Sequence, residues 1–176
     1  PAAGSLPSLL VGVDWEGILD RATRQVLERQ ALSSFLTRQR WFAGKSRTVQ
    51  DSRFADWVTL RGGRTPAFLT AVNVTFTDGG RDTYGLLLAS VDGERSTRAL
   101  VDTPGAVLAL ITGARKGALI DGFLDDDTMS RLLAWMAVGH RTTTAHGLIA
   151  ATPLAAQAFD RAALAGQPAG GPDGAV

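Results

Sequence analysis

With 176 residues, 45% hydrophobic and 20% charged, the chain has the size of one domain with attached linkers and enough apolar side chains for a core, which excludes wholesale disorder. Apolar runs such as Ala106–Ile111 and Gly85–Ala89 fall far short of the ~18 residues of a membrane span, the start reads without a secretory leader, and the lack of cysteine excludes disulfides, thiolate ligands and a thiol nucleophile. Formal net charge is +1, yet residues 21–64 hold ten cations against three acids, so that segment carries +7 and the remainder −6. Such asymmetry marks either an anion-facing surface or a solvated or interdomain face. The composition suits a reducing cytoplasm.

Residues 1–8 read as a lead-in. The apolar run Leu9–Val13 predicts a short strand. Asp14 stands as an N-cap, and the spacing of Trp15, Ile18, Leu19, Ala22, Val26 and Leu27 predicts a helix with those side chains on one face. A second helix is predicted over Ser33–Gln39, capped by Ser33 or Ser34, with Phe35 and Leu36 inward and Gly44 closing the region. Phe54–Leu60 ends at Gly62-Gly63. In Ala67–Thr77, Val72, Val74 and Phe76 alternate with Asn73, Thr75 and Thr77, the period of a strand. Asp78-Gly79-Gly80 is a hairpin turn, and Thr83–Val91 returns with Tyr84, Leu86 and Leu88 on one side.

After a second turn at Asp92-Gly93, Ser96–Val101 reads as a further return strand, which makes an antiparallel meander. Ala106–Ile111 is a strand or a buried helix. Leu119–Leu124 turns at Asp121-Gly122. Asp125-Asp126-Asp127 opens a helix to about Ala137, with Met129, Leu132, Leu133 and Met136 inward and Gly139 ending it; the acids suit the helix N-terminus. Leu148–Ala151 reads as a last strand and Leu154–Ala165 as an Ala-rich helix. Residues 166–176, with four glycines and two prolines, read as a linker. The domain proper is therefore expected over residues 9–165.

Candidate chemistry is sparse. His140 and His146 share neither a helix face nor a strand face, so they make a poor metal pair. There is no G-x-S-x-G elbow, no dinucleotide fingerprint and no P-loop lysine motif. The Asp125–Asp127 run reads as a cap, and Gly113-Ala114-Arg115-Lys116-Gly117 as a surface turn with some likeness to a phosphate loop. The densest feature is Arg38-Gln39-Arg40-Trp41-Phe42-Ala43-Gly44-Lys45, two adjacent aromatics among three cations and a glycine. Adjacent side chains on an extended segment face opposite ways. One ring can then enter the core while the other anchors a partner, and Trp with Arg is typical of interface hot spots. No wider interleaving of aromatics and cations supports base stacking.

The run Leu36-Thr37-Arg38-Gln39-Arg40-Trp41-Phe42-Ala43-Gly44-Lys45-Ser46-Arg47 resembles the signature at the start of bacterial maltokinases, in their N-terminal cap domain. Leu9-Leu10-Val11-Gly12 before Trp15, Tyr84 after the Thr77–Gly80 turn, and Gly117–Asp121 before an acidic helix agree. The resemblance spans Leu9 to about Leu164 and includes forms fused behind a trehalose synthase. It implies a cap with a curved antiparallel sheet and helices, similar to cystatins. It also implies a partner kinase domain, in cis or in trans, that uses ATP and Mg²⁺ to phosphorylate maltose on a path from trehalose to α-glucan.

This chain departs from that kinase in what it lacks. Neither an H-x-D-x-x-x-x-N nor a D-F-G element is present, and Ser46 replaces a glycine common in the family. The expectation is an α+β domain without catalytic, cofactor or metal residues of its own. Its candidate interface is Arg38, Arg40, Trp41, Phe42, Gly44 and Lys45. It would dock on a kinase lobe and shape its motions, with no membrane partner. The second reading is a basic module for nucleic acid or an acidic protein.

Overall fold

The computed structural model describes residues 6–144 and 146–152. Its centre is the hairpin of β3 (Ala67–Phe76) and β4 (Arg81–Asp92), paired antiparallel from Ala67↔Ala89 to Thr75↔Arg81. Gly79 turns the chain with φ +85°, a conformation that costs glycine little. β2 (Val49–Leu60) flanks β3 and begins earlier than the Phe54 expected from apolarity, because Gln50, Asp51, Ser52 and Arg53 are polar. β1 (Ser8–Val11), β5 (Val107–Gly113) and β6 (Gly117–Asp121) complete a curled six-stranded sheet in the order β1-β5-β6-β4-β3-β2. Ala106–Ile111 therefore resolves as strand. A separate hairpin joins β7 (Arg141–Thr143) to β8 (Leu148–Ala150).

The α+β class holds, with two corrections to the expected meander. β1 pairs parallel to β5, so the sheet is mixed. The short turns that exclude parallel crossovers lie between residues 60 and 93, and β1 lies outside that stretch. Secondly, Ser96–Val101 is no strand: helix α2 covers Gly93–Asp102, and the neighbour of β4 is β6. A strand would have placed Ala99 and Val101 on one face, whereas the helix buries Ser96 and Ala99 and leaves Val101 72% exposed.

The two helices expected before residue 40 are one, α1, over residues 21–38, with a wider π turn at Glu28–Leu32. Ser33 lies inside it at φ −62°, ψ −44°, so it is no cap; its hydroxyl meets that of Ser52 on β2 at 2.7 Å. Trp15 does not open α1. It precedes a single tight turn, Glu16–Leu19, and Asp20 is extended before α1 starts. Trp15, Ile18 and Leu19 are buried, but Ala22, on the far side of that break, is exposed. Helix α3 (Asp126–Ala137) starts as expected: Asp125 accepts from the Thr128 N–H at 3.0 Å, and Gly139 stops it at φ +62°. Its inward face is Met129, Leu132 and Trp135, while Met136 is exposed and Leu133 half-buried. Steps of three residues put Trp135 on this face, and it stacks on His140 at 4.1 Å.

Alternation along β4 distributes these helices. Leu86 and Leu88 join α1, Trp15 and Ile18 in the main core, while Leu87, Ala89 and Val91 meet α2 and α3 on the other face. A strand covered on both faces reads as a continuous apolar run, as Leu86–Ala89 does. No helix among the described residues is long and apolar enough to cross a membrane. The expected helix at Leu154–Ala165 and the linker at 166–176 lie outside the described residues.

Candidate functional site

α1 stops at Arg38 because Gln39 turns extended (φ −72°, ψ 139°) and ties off the helix end. Its N–H reaches the Leu36 carbonyl at 3.0 Å, and its Nε2 donates to Phe35 O at 3.1 Å and Gly105 O at 3.2 Å. Arg40 and Trp41 then form a turn that the Phe42 N–H closes on the Gln39 carbonyl at 3.3 Å, and Phe42 leaves it extended, so the two rings part. Phe42 is 2% exposed and packs on Tyr84 and Phe76, with ring centroids at 5.0 and 6.4 Å. Trp41 stays 47% exposed, its ring 6.1 Å from Tyr84. Gly44 sits in the tight turn Ala43–Ser46. A Cβ there would lie 2.6 Å from the Phe76 ring and 2.8 Å from the Phe42 ring, so space decides the residue.

Arg47 holds this segment to the β3–β4 turn. Its Nε and Nη2 donate to the two carboxylate oxygens of Asp78, both at 2.8 Å. Nη1 is 3.4 Å from Asp82, and the guanidinium lies 3.7 Å over the Phe76 ring. The hydrogen bonds from Arg47, joined by the Gly80 N–H, lower the Asp78 carboxyl to about 2. The same bond raises Arg47 above its ordinary range. A Cβ at Gly80 would run into that guanidinium. Reading Asp78-Gly79-Gly80 only as a turn missed this pairing. The available signal was an isolated arginine at the end of the motif and an acid at the turn's first position.

Beside Trp41 runs an open strand edge. Ser90 N donates to Pro66 O and Leu86 O accepts from Thr70, so the even-numbered residues of β4 direct their backbone groups at β3. The odd-numbered ones face the other edge, where β6 has ended opposite Leu88 and where Thr83 and Gly85 are exposed. Trp41, Phe123, Leu86 and Asp121 surround this stretch in a groove of about 260 Å³. Phe123 is 59% exposed. Burial pushes the Asp121 carboxyl above its usual range, against the Phe123 N–H that it accepts at 3.0 Å. An edge that no strand among the described residues covers, set between exposed aromatics, is suited to receiving an extended segment of a partner. The sequence offers Asp121 as a turn position and Phe123 as part of an apolar stretch; the shortness of β6 brings both to the edge.

Arg38, Arg40 and Lys45 are exposed, and among the described residues none forms an ion pair. Other cations of the +7 segment are neutralised locally. Arg24 meets Glu28 and lies over Trp57, Arg47 holds Asp78, Arg53 pairs with Asp51 and Arg61 with Glu16. Among the described residues no group of three or more His, Asp or Glu converges as metal ligands would. Asp125 is occupied by Thr128 and by Arg95 at 3.0 Å.

Comparison with known families matches the description "maltokinase N-terminal cap domain" over residues 35–125, more than half of the chain. The match opens inside α1, contains the whole Arg38–Arg47 segment and the β2–β6 sheet, and closes at the Asp125 cap. No curated protein sequence matches the chain.

Proposed function

The chain belongs to the maltokinase N-terminal cap domain family, and from that premise we propose that it is a non-catalytic cap that docks on a kinase lobe through the groove walled by Trp41 and Phe123. The observation that carries this reading is Trp41. A large aromatic at a turn, half exposed and resting on Tyr84, which Phe42 backs, is the type of side chain that anchors interfaces. Docking would place a partner strand along Thr83–Leu87 and cover the apolar rings. Arg40 and Lys45 form a charged rim that steers association more than it strengthens it.

In this reading phosphoryl transfer to maltose, with ATP and Mg²⁺, belongs to the kinase lobe, in cis or in trans. The cap stabilises that lobe or limits its motions in the cytoplasm, within trehalose-to-glucan metabolism and, in fused forms, beside a trehalose synthase. The test is calorimetric titration of this chain with a maltokinase catalytic lobe lacking its own cap. Saturable binding is expected, weakened by at least ~2 kcal/mol, about thirtyfold, in Trp41→Ala. No ATP-dependent phosphorylation of maltose is expected from the chain alone. Absence of binding, or equal binding by Trp41→Ala, overturns the docking reading.

A further inference from the structure

The loop between β2 and β3 reads Arg61-Gly62-Gly63-Arg64. The fold brings it to Asp14–Glu16, to Arg115 of the basic β5–β6 turn, and to Arg131 of α3, around a concavity of about 210 Å³. We propose that this concavity binds a phosphate group, either as free phosphate or on a small phosphorylated molecule. This goes beyond the docking reading and does not depend on it.

Four guanidinium groups line the space against two carboxylates. Arg131 is committed to the fold, donating to Leu60 O at 2.6 Å and to Asp127 at 2.9 Å. The other three retain donors. Arg115 spends Nε and Nη2 on Asp92 and keeps Nη1. Arg61 has one contact, Glu16 at 3.2 Å. Arg64 has no hydrogen bond or ion pair among the described residues. Of the two acids, Glu16 is held by Arg61, and Asp14 accepts the Glu16 N–H at 2.8 Å. With Asp92 and Asp127, which hold Arg115 and Arg131, the formal charges balance, and what the concavity offers in excess is N–H donors on Arg61, Arg64 and Arg115.

The loop backbone adds donors. Gly62 takes φ +96°, and the N–H groups of Gly62, Gly63, Arg64 and Thr65 reach no backbone acceptor among the described residues. Successive unpaired N–H groups in a turn form an anion-binding concavity. A Cβ at Gly63 would lie 2.5 Å from an Asp127 carboxylate oxygen and 2.6 Å from the Arg131 guanidinium carbon, so glycine lets the loop close on that ion pair. Trp15 forms another wall under the Arg115 guanidinium, 4.6 Å from its ring. Its Nε1–H is buried with no acceptor among the described residues, a state that native structures rarely leave unexplained. The volume is below the ~300–1,000 Å³ of sites for drug-sized ligands. Donors converging from the β2–β3 loop and from the β5–β6 turn suit a tetrahedral oxyanion better than a planar carboxylate, which one arginine fork satisfies.

The experiment titrates the chain calorimetrically with inorganic phosphate and, separately, with glucose 1-phosphate at one fixed ionic strength. Saturable binding of at least one is expected, weakened about tenfold or more in Arg64→Ala, the loss of one or two charge-assisted hydrogen bonds. Arg29→Ala, an exposed cation on α1, should bind as the unaltered chain does. Because Arg64 supports no other residue, its variant should keep the same thermal midpoint. Binding of the ester alone assigns a phosphorylated molecule; comparable binding of both assigns free phosphate. Failure of both anions to bind, or equal weakening by Arg64→Ala and Arg29→Ala, overturns the proposal. So does binding confined to a long polyanion such as heparin.

Discussion

Phe42 and Trp41 are neighbours in sequence, share Tyr84 as a contact, and differ in nearly everything else. On the Phe42 side, Gly44 and Arg47 are locked by the Phe76 ring and Asp78. On the Trp41 side, Arg38, Arg40 and Lys45 are exposed and make no ion pair among the described residues. The difference teaches a division of labour over residues 38–47. The buried half supplies rigidity, and rigidity is what allows the exposed half to hold an aromatic side chain in water at a fixed angle. An anchor that needs no ordering on binding loses less conformational entropy when the partner arrives.

The contrast is sharpest under truncation of the two rings. Phe42→Ala should lower the unfolding free energy of the domain by ~3–5 kcal/mol, because it removes a fully buried aromatic and leaves a cavity. Trp41→Ala should cost under about 1 kcal/mol. Urea denaturation of both variants checks this, and equal losses would erase the distinction. Next in size is Gly44→Ala. The new methyl would press on Phe76 and Phe42, and overpacking of this kind costs about 1–3 kcal/mol. A midpoint unchanged from the parent chain would show that the turn yields and that space is not the constraint.

A smaller effect tests the Arg47–Asp78 clamp through pH. The carboxyl sits at about 2 in the folded chain, against an ordinary value of ~3.9. A lowered folded-state value contributes stability that is present above about pH 4 and lost as pH falls through about 2. Asp78→Asn should therefore melt below the unaltered chain at neutral pH, and the gap should close near pH 2. A gap independent of pH would mean that the ion pair is not its source. Smallest of all, Arg40→Ala and Lys45→Ala should each shift fold stability by no more than about 0.5 kcal/mol. A larger loss in denaturation would move these cations to the structural half of the segment.

Much of this was legible because local physics and tertiary packing agree. The Val72-Val74-Phe76 alternation, the Asp78–Gly80 turn, the Asp125 cap and the Gly139 stop each follow from one short stretch of chain. The failures share a cause, a remote partner. Ser33 looks like a cap until Ser52 comes to meet it across the helix–strand contact. Ser96–Val101 looks like a returning strand until β6, from beyond residue 116, takes its place beside β4. At the candidate site, the Trp41–Phe42 pair was visible as a motif. Its clamp and groove were not, because Asp78, Asp121 and Phe123 reach it only through the sheet.

The parallel pairing of β1 with β5 has a consequence for how the chain is made. Thr112 donates through its hydroxyl to the Leu9 carbonyl, 103 residues away in sequence. At about 5–20 residues per second of synthesis, β1 leaves the ribosome on the order of ten seconds before its neighbour exists. Throughout that interval Leu9 and Val11 have no strand to cover them, and the β3–β4 hairpin, whose partners are close in sequence, can already be complete. The edge of the sheet that comes first in the chain thus waits for strands made much later. A nascent chain stalled before residue 107 would present β1 to chaperones as a free apolar strand.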